Sequence, residues 1–333
     1  MSAAIQKSSG SLVKKRPAVE LWLELETQCN LRCLFCYNYW KDGSAPEPTQ
    51  QTTSETIRVL SRLLDEVDCQ QLAISGGEPL LRSDLNEILF ALRPYGIPTV
   101  LTTNGLMLTR QRVLDLMQAG ITHFQVPLHS HCEETHDHLS GGRHAWQRAL
   151  SAIASVRECG GNITPVFVAT RRNVAHFPAV VNICAALGIQ KIIFNRFILT
   201  GLGSIHRLGI GVPTEEELWR VLVKAEPLAA QHGVTVHLGV PIRMPTHLTT
   251  SWRNIEWASC PVRSGQRRWT IGSDLSVRRC NHSGLNIGNL REDGHERLLR
   301  ELQSTAIKGC SSDPQPCQFI EPNFPVQVRV LPQ

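Results

Sequence analysis

Hydrophobic and polar positions alternate between two patterns through the first two thirds of the chain. In 53–68, Ile57, Leu60 and Leu64 stand three or four positions apart, which is the spacing of one buried face of an α-helix. Similar helical segments separate short apolar or alternating runs, which are typical of β-strands. These runs lie at 19–26, 71–75, 99–104, 123–129, 165–170 and 191–198. Strand and helix therefore alternate six times.

This alternation predicts a parallel sheet with right-handed crossovers. Six units are too few for a closed eight-fold barrel, so we expect an α/β fold with a partial (β/α)6 barrel over residues 18–232. Residues 1–17 are polar and basic, and predict a flexible N-terminal arm. Thr214 and Glu217 have the spacing of a capping box for a helix over 216–226.

The last hundred residues follow a different pattern. Trp269–Ile271 and Val277–Cys280 flank a polar turn and predict a β-hairpin, which a helix carrying Leu298 and Leu299 follows. Residues 233–333 are therefore expected to form a small C-terminal domain of hairpin and helix.

Composition restricts the class of protein. A hydrophobic content of 42% and a charged content of 19% are typical of a globular chain. No run of eighteen apolar residues predicts a membrane span, and the N-terminus has no apolar segment of a secretory signal. Eleven cysteines without an export signal indicate a reducing compartment, so we expect a cytoplasmic protein.

The net charge of +5 is small, although arginines cluster late in the chain. We interpret the cluster as a solvated basic face, with binding of an acidic peptide segment as the alternative. Nucleic-acid binding is not predicted, since no aromatic residues or known motif accompany the charge. The arginines are Arg263, Arg267, Arg268, Arg278 and Arg279.

Chemically distinctive residues follow the first four predicted strands. Ligands of parallel α/β proteins bind at the carboxyl ends of strands. A cysteine group follows the first strand, SGGEP (75–79) the second, TTNG (102–105) the third and HSHC (129–132) the fourth. The agreement between motif and position predicts one site at this edge of the sheet.

Cys29, Cys33 and Cys36 have the spacing C-x3-C-x2-C. Three thiolates bind three irons of a [4Fe–4S] cluster and leave the fourth iron open to an outside ligand. Structural zinc usually has four protein ligands, and no fourth ligand is apparent nearby. The group therefore favours an open-site iron–sulfur cluster.

This cysteine motif, combined with Gly76, Gly77 and Glu78 after the second strand, resembles the radical S-adenosylmethionine (radical SAM) superfamily over about residues 18–210. The resemblance implies that S-adenosylmethionine binds the open iron through its amino and carboxylate groups. It implies reductive cleavage to methionine and a 5′-deoxyadenosyl radical, which abstracts a hydrogen atom from substrate. A reductant such as flavodoxin or ferredoxin would supply the electron.

The resemblance also assigns cofactor contacts. The backbone of Phe35 would contact the adenine, Gly76 and Gly77 would allow a close approach, and Glu78 would accept a hydrogen bond from the ammonium group. Further contacts are implied for Thr103, Asn104 and the backbone near Leu199.

Two departures concern the fourth strand. Many relatives have Ser-Leu-Asp-Gly where this chain has residues 127–130, and an H-D-x-x-R pattern that here ends in Ser140. Cys132 stands among three histidines of this loop and is a candidate for hydrogen-atom donation or proton relay. Replacement partners for the carboxylate and ribose of the cofactor are Ser130, Arg143 and Arg171.

Four later cysteines predict a second metal site. They resemble the twitch and SPASM extensions of the superfamily, although Leu275 stands where a glycine is usual and a further cysteine-rich loop is absent. One auxiliary [4Fe–4S] cluster of the twitch type is predicted, with a zinc ribbon as the alternative. The cysteines are Cys260, Cys280, Cys310 and Cys317.

Three functions stay open. The first is a radical SAM enzyme that cross-links or oxidises a ribosomally made peptide, with or without a separate leader-binding protein. The second is a radical SAM dehydrogenase or cyclase of a small metabolite. The third is a non-catalytic iron–sulfur or zinc protein, which residues 76–78 argue against, because an electron carrier needs no cradle for S-adenosylmethionine.

Overall fold

All strands of the described part of the chain belong to one eleven-stranded sheet. The computed structural model describes residues 16–43, 46–242, 252–257, 268–293 and 295–303. The strands are β1 Ala18–Glu26, β2 Asp68–Gly76, β3 Thr99–Thr102, β4 Ile121–Pro127, β5 Asn162–Ala169, β6 Lys191–Arg196, β7 Thr235–Leu238, β8 Ile255–Trp257, β9 Arg268–Ile271, β10 Ser276–Arg278 and β11 Asn286–Asn289.

The sheet order is β11-β10-β9-β1-β2-β3-β4-β5-β6-β7-β8. Strands β1 to β8 are successive parallel neighbours, and β9 is parallel to β1 on its other side. Strands β10 and β11 are antiparallel additions. The sheet is open, with β8 and β11 at its edges, so the predicted α/β fold with a partial barrel is confirmed.

Nine α-helices connect or flank these strands in the described residues. Short 3-10 turns lie at Tyr39–Asp42, Pro79–Leu81, Arg93–Tyr95 and Val174–His176. No described helix combines the length and the apolar character needed to cross a membrane. The helices are α1 Thr53–Glu66, α2 Leu85–Leu92, α3 Arg110–Ala119, α4 Glu133–Ser140, α5 Ala145–Glu158, α6 Phe177–Ala186, α7 Leu202–Ile210, α8 Glu215–His232 and α9 His295–Gln303.

Helices α4 and α7 are absent from the sequence prediction. α4 is rich in histidine and acidic residues, and α7 contains two glycines, which lower helix propensity. The predicted start of α8 is confirmed, because Thr214 Oγ1 accepts a hydrogen bond from Glu217 N (3.1 Å) and Glu217 Oε2 accepts one from Thr214 N (2.7 Å).

Strand β1 shows how the sheet separates two environments. Leu21 and Leu23 are 0% exposed and belong to the core that the helices cover. Since side chains alternate across a strand, Glu20, Trp22 and Glu24 lie on the opposite, concave face. Closed barrels fill this face with branched apolar residues. Here acidic side chains of β1 pair with arginines instead.

The predicted hairpin is present as β9 and β10, and it joins the main sheet. Leu21 of β1 is the register partner of Trp269, which is 0% exposed. The proposed domain boundary at residue 233 stays a prediction, although β7 and β8 continue the parallel sheet beyond it. The predicted arm, residues 1–17, lies outside the described residues except for its last two positions.

The turn between β9 and β10 holds Leu275 in the left-handed region, with φ of 65°. Its backbone N–H donates to Gly272 O (2.9 Å), and its side chain is 2% exposed. A non-glycine residue in this region costs about 1–2 kcal/mol. Burial of the leucine side chain therefore offsets a backbone strain that a glycine would not have.

We expect Leu275→Gly to be more stable than Leu275→Ala by about 1 kcal/mol, because both lose the buried side chain and only alanine keeps the strain. The free energy of unfolding in urea, followed by circular dichroism, measures the difference. Leu290 is also 2% exposed and is not among the residues with positive φ. At position 290, Leu290→Ala should therefore be more stable than Leu290→Gly. The same order at both positions would contradict the prediction.

Candidate active site

The three cysteines lie together in the segment that follows β1, and each is half-buried. Burial raises the pKa of the Cys33 thiol far above its ordinary value, and the negative charges of Cys36 and Cys29 raise it further. Burial likewise raises the pKa of Cys36. Three thiolates this close together need compensating positive charge. The irons of a cluster would supply that charge.

Three thiols suit an open-site cluster better than a single structural ion, which usually has four protein ligands. In the described ranges, no group of three or more His, Cys, Asp and Glu side chains is placed to hold one metal ion. Zinc draws all its thiolates to about 2.3 Å from one centre, whereas the cysteines of a [4Fe–4S] cube bind separate irons. The three cysteines match the donor number of an open-site cube.

The ends of β1 and β2 are joined by the backbone of Gly77 and Glu78. Gly77 N donates to Glu26 O (2.6 Å), and Glu78 N donates to Gln28 O (2.7 Å). A Cβ on Gly77 would lie 2.6 Å from the carbonyl carbon of Gln28, and Gly76 is equally crowded by Glu26 O. Both glycines are therefore needed because the chain leading to Cys29 occupies the space of a side chain.

Glu78 is a buried carboxylate, 1% exposed. Its Oε1 accepts hydrogen bonds from Thr103 Oγ1 (2.7 Å) and Leu80 N (3.0 Å), and its Oε2 accepts one from Asn104 N (2.7 Å). Burial raises the pKa of Glu78 despite these donors. None of the salt bridges between described residues involves it. A carboxylate has about four acceptor positions, so one position is left for a cationic donor.

Asn104 connects this carboxylate to the cysteines. Its Nδ2 donates to Asn30 Oδ1 (2.6 Å) and lies 3.9 Å from Cys29 Sγ, while its Oδ1 accepts from Leu106 N (2.9 Å). The structure thus brings together predicted residues from the ends of three successive strands. These residues belong to the cysteine segment, to 76–78 and to 103–104.

Two glycines that the sequence analysis does not single out support the cysteine segment from its other sides. A Cβ on Gly141, after α4, would lie 2.7 Å from the carbonyl carbon of Arg32. A Cβ on Gly201, after β6, would lie 2.7 Å from Cys36 O. Their only sequence signals are the pair at 141–142 and the glycine that follows the sixth strand.

Phe35 and Leu199, which are both predicted to lie at the adenine, meet in one small apolar cluster: Leu199 belongs to it and Phe35 packs against it. The Phe35 ring also packs edge-on against His129, with ring centres 4.5 Å apart. His129 is only 2% exposed. Its proximity to the cysteine segment cannot be read from the sequence, since it depends on how β4 meets this segment.

His129 and His136 are held as neutral rings. Val168 N donates to His129 Nδ1 (3.2 Å), and His129 N donates to His136 Nδ1 (3.1 Å). Burial lowers the pKa of His129 well below its ordinary value and lowers that of His136 to about 4. A neutral ring that accepts at Nδ1 carries its proton on Nε2, so each ring presents an N–H donor there.

Ser130, Arg143 and Arg171, the predicted partners of the cofactor carboxylate and ribose, differ in the contacts that they already make. Ser130 is fully buried, and its Oγ is 2.8 Å from His176 Nδ1 and accepts from Cys132 N (2.8 Å). Arg171 forms an ion pair with Glu217 (3.2 Å). Arg143 is exposed and has no ion pair with any described residue. Cys132 is half-buried immediately before α4.

The second predicted metal site is described only at Cys280, which follows β10 and is half-buried. Its sulfur accepts a hydrogen bond from His282 N (3.4 Å). Three of the predicted ligands and two of the clustered arginines lie outside the described residues. These are Cys260, Cys310, Cys317, Arg263 and Arg267. The auxiliary cluster and the zinc ribbon both stay predictions.

Known structures share this architecture. Streptococcus suis SuiB bound to S-adenosylmethionine is similar with a TM-score of 0.64 and 18% identity, covering 85% of this chain and 66% of SuiB. SuiB bound to the precursor peptide SuiA gives 0.64 and 19%, with 84% and 63% covered. The structure of anSMEcpe with bound AdoMet and Cp18Cys peptide gives 0.63 and 15%, with 86% and 80% covered.

At these identities the solved structures show a shared fold, and the chain spans slightly less than two thirds of the SuiB chains. The family comparison is independent of them. Residues 24–180 match the Radical SAM superfamily, a range that contains the three cysteines, Gly76, Gly77 and Glu78. The family match therefore identifies residues 24–180, a little under half of the chain, as a Radical SAM domain, and the fold around it is shared with the solved structures.

Proposed function

We propose that this protein reductively cleaves S-adenosylmethionine and uses the resulting 5′-deoxyadenosyl radical to abstract a hydrogen atom from a ribosomally made peptide. The outcome is a cross-link or an oxidised side chain. One observation carries the proposal: Asn104 joins the three-cysteine segment to Glu78, whose buried carboxylate has no cationic partner among the described residues.

The side chains have distinct tasks in this proposal. When bound, an open-site [4Fe–4S] cluster and S-adenosylmethionine supply the reductive cleavage and the hydrogen abstraction. Cys29, Cys33 and Cys36 hold three irons. Glu78 accepts a hydrogen bond from the ammonium group of the cofactor, and such a charge-assisted bond is strong in a buried site. Thr103 and Asn104 orient that carboxylate.

The neighbouring loops exclude water from the same place. Phe35 and Leu199 provide an apolar wall near the adenine position. The neutral His129 closes this wall and presents an N–H donor, which suits a hydroxyl or carboxylate oxygen of the cofactor. Arg143 is the candidate cation for the carboxylate, since Arg171 already pairs with Glu217.

A peptide substrate is supported by the relatives and by the barrel itself. SuiB and anSMEcpe have structures with peptides bound. The open sheet with polar side chains on its concave face suits a polar, extended chain. We propose further that a flavodoxin or ferredoxin supplies the electron, and that the peptide binds with or without a separate leader-binding protein.

Anaerobic turnover tests the proposal. Reconstituted protein, reductant and S-adenosylmethionine are incubated with the peptide encoded beside the gene, and products are measured by mass spectrometry. We expect 5′-deoxyadenosine together with a peptide lighter by about two mass units, from loss of two hydrogens. 5′-Deoxyadenosine formation with turnover of a free sugar or aminocyclitol would move the substrate to the metabolite class. No cleavage of S-adenosylmethionine would refute the whole proposal.

The auxiliary site has a stoichiometric test. If Cys260, Cys280, Cys310 and Cys317 hold a second [4Fe–4S] cluster, the reconstituted protein contains about eight irons per chain. A variant with alanine at the first three cysteines should keep about four. One zinc and no iron in that variant would establish the zinc ribbon and remove the proposed electron acceptor.

Glu78→Gln should weaken S-adenosylmethionine binding by about 10- to 150-fold, because a hydrogen bond to a charged group contributes about 1.5–3 kcal/mol. Iron content should not change, since Glu78 holds no iron. Calorimetric titration of the reconstituted protein measures the affinity. Glu158→Gln, which alters an exposed ion pair with Arg110, is the control. Equal affinities of both variants would remove Glu78 from the cofactor site.

A further inference from the structure

Arg278 lies buried where the C-terminal hairpin meets β1. Its side chain is 1% exposed, and its guanidinium pairs with the equally buried carboxylate of Glu24. Nη1 donates to Ser283 O (3.0 Å), and the guanidinium carbon lies 4.7 Å from the ring centre of Tyr39. One side chain therefore contacts β1, the segment that follows Cys36 and the loop that follows Cys280.

Stability does not account for this pair. Glu24 Oε1 and Arg278 Nε have no hydrogen-bond partner within the described residues. Burial raises the pKa of Glu24 to about 7, although Arg278 opposes the shift. Incompletely satisfied buried ion pairs contribute little, and apolar residues of similar volume are often as stable or more so. The pair is better explained by the position in which it holds its neighbours.

The hairpin loop contacts the segment after Cys36 at further points. The rings of Tyr37 and His282 meet edge-on with centres 5.1 Å apart, and the Asn281 side chain lies near the Tyr37 hydroxyl. A Cβ on Gly284 would lie 3.0 Å from the Tyr39 ring. The loop after Cys280 therefore contacts both Tyr37 and Tyr39.

The other side of the same segment rests on the barrel. Asn38 Nδ2 donates to Gly76 O (2.7 Å), and Gly203 N donates to Cys36 O (3.2 Å). Residues 36–39 thus lie between the hairpin loop on one side and the end of β2 and α7 on the other. A shift of the hairpin would move the backbone that carries the Cys36 thiol.

We propose that Arg278 is a positioning residue for the first cluster: it fixes the segment after Cys36 against β1 and thereby sets the place of the Cys36 thiol. The C-terminal hairpin is then part of the S-adenosylmethionine site, in addition to any metal that Cys280 holds. The effect on S-adenosylmethionine rests on the proposed function. The effect of Arg278 on the position of the Cys36 thiol applies to the metal-free protein as well.

The chain contains a matched control for this role. Arg268 of β9 pairs with Glu20 of β1 (2.6 Å) and lies 5.0 Å from the ring centre of Trp22. As in the Arg278 pair, an arginine of the hairpin pairs with a glutamate of β1 and lies over an aromatic ring. The Arg268 pair differs in being partly exposed and in lying near the start of β1, away from the cysteines that follow the strand. Loss of the Arg268 pair therefore tests the effect of weaker hairpin docking while the contact between Arg278 and Tyr39 is kept.

Four variants are compared with the wild type: Arg278→Lys, Arg278→Met, Glu24→Leu with Arg278→Met, and Glu20→Leu with Arg268→Met. In metal-free protein, alkylation of Cys36 by iodoacetamide is followed by peptide mass spectrometry. In anaerobically reconstituted protein, S-adenosylmethionine affinity and the electron paramagnetic resonance spectrum of the reduced cluster are measured. Thermal unfolding is recorded for all.

We expect Cys36 to be alkylated at least tenfold faster, and S-adenosylmethionine to bind about tenfold more weakly, when Arg278 is methionine. The apolar double variant should regain thermal stability but keep both defects and an altered spectrum. Arg278→Lys should be intermediate, because lysine keeps the charge and lacks the planar fork. The Glu20 and Arg268 double variant should stay within twofold of the wild type in both measurements.

Two results would overturn the inference. One is an unchanged alkylation rate and spectrum in both Arg278→Met variants. The other is an equal change in the control pair, which would make hairpin docking in general responsible. If the wild type neither binds nor cleaves S-adenosylmethionine, the proposed function fails, and the alkylation rates alone still decide whether Arg278 positions the segment.

Discussion

A variant with alanine at Cys29, Cys33 and Cys36 is expected to lose S-adenosylmethionine cleavage completely, with less than about 1% of wild-type 5′-deoxyadenosine formed. Without these thiolates no iron is held beside Glu78, so the cofactor cannot be reduced. The fold should survive, because the three thiols are half-buried and lie in a loop outside the core strands. Anaerobic assay with dithionite measures the loss.

A control shows whether the effect belongs to this cysteine group. Cys69 of β2 is also half-buried, and its thiol donates to Gln71 O (3.3 Å). Cys69→Ala should keep both its iron and its cleavage activity. Full cleavage by the triple variant would show that the active cluster lies elsewhere in the protein.

Gly77→Ala is expected to lower the free energy of unfolding by about 3 kcal/mol or more and to abolish S-adenosylmethionine binding. The new Cβ would lie 2.6 Å from the carbonyl carbon of Gln28, and that carbonyl group belongs to backbone, which cannot rotate away as a side chain does. Overpacking typically costs about 1–3 kcal/mol. Separation of the strand ends would also break the hydrogen bonds of Gly77 and Glu78, each contributing about 1 kcal/mol.

Urea unfolding and titration with S-adenosylmethionine measure both effects. Gly209 in α7 is the control, because an added Cβ there meets no heavy atom within 4 Å and its φ is not positive. Gly209→Ala should be neutral or stabilising by up to about 1 kcal/mol, as helix interiors favour alanine. Wild-type stability of Gly77→Ala would show that the strand ends can separate without cost.

Periodicity predicts the elements of this fold well where the pattern is long. The six parallel strands and the helix with Leu60 and Leu64 on its buried face are present as expected. The pairing of β9 with β1 is absent from the prediction, because an edge of a sheet carries no sequence signal for its partner. Strands β7 and β8, with four and three residues, are too short for a periodic pattern.

The candidate site likewise contains residues that the sequence predicts and residues that it does not. A motif of close residues, such as Cys29 to Cys36 or 76–78, is visible in the sequence because its spacing is fixed by local chemistry. The supports at Gly141 and Gly201 and the neutral ring of His129 depend on contacts between distant segments. No local pattern encodes such contacts, so only the structure reveals them.

The pairing of β1 with β9 also orders events during synthesis. Arg268 and Glu20, which join these strands, are 248 residues apart. At about 5–20 residues per second, a ribosome needs roughly 10–50 s to make that interval. Until then one edge of β1 has unpaired backbone N–H and C=O groups, which readily pair with other chains. Nascent chains are therefore most prone to aggregate in this interval, and fragments that stop before β9 keep that open edge permanently.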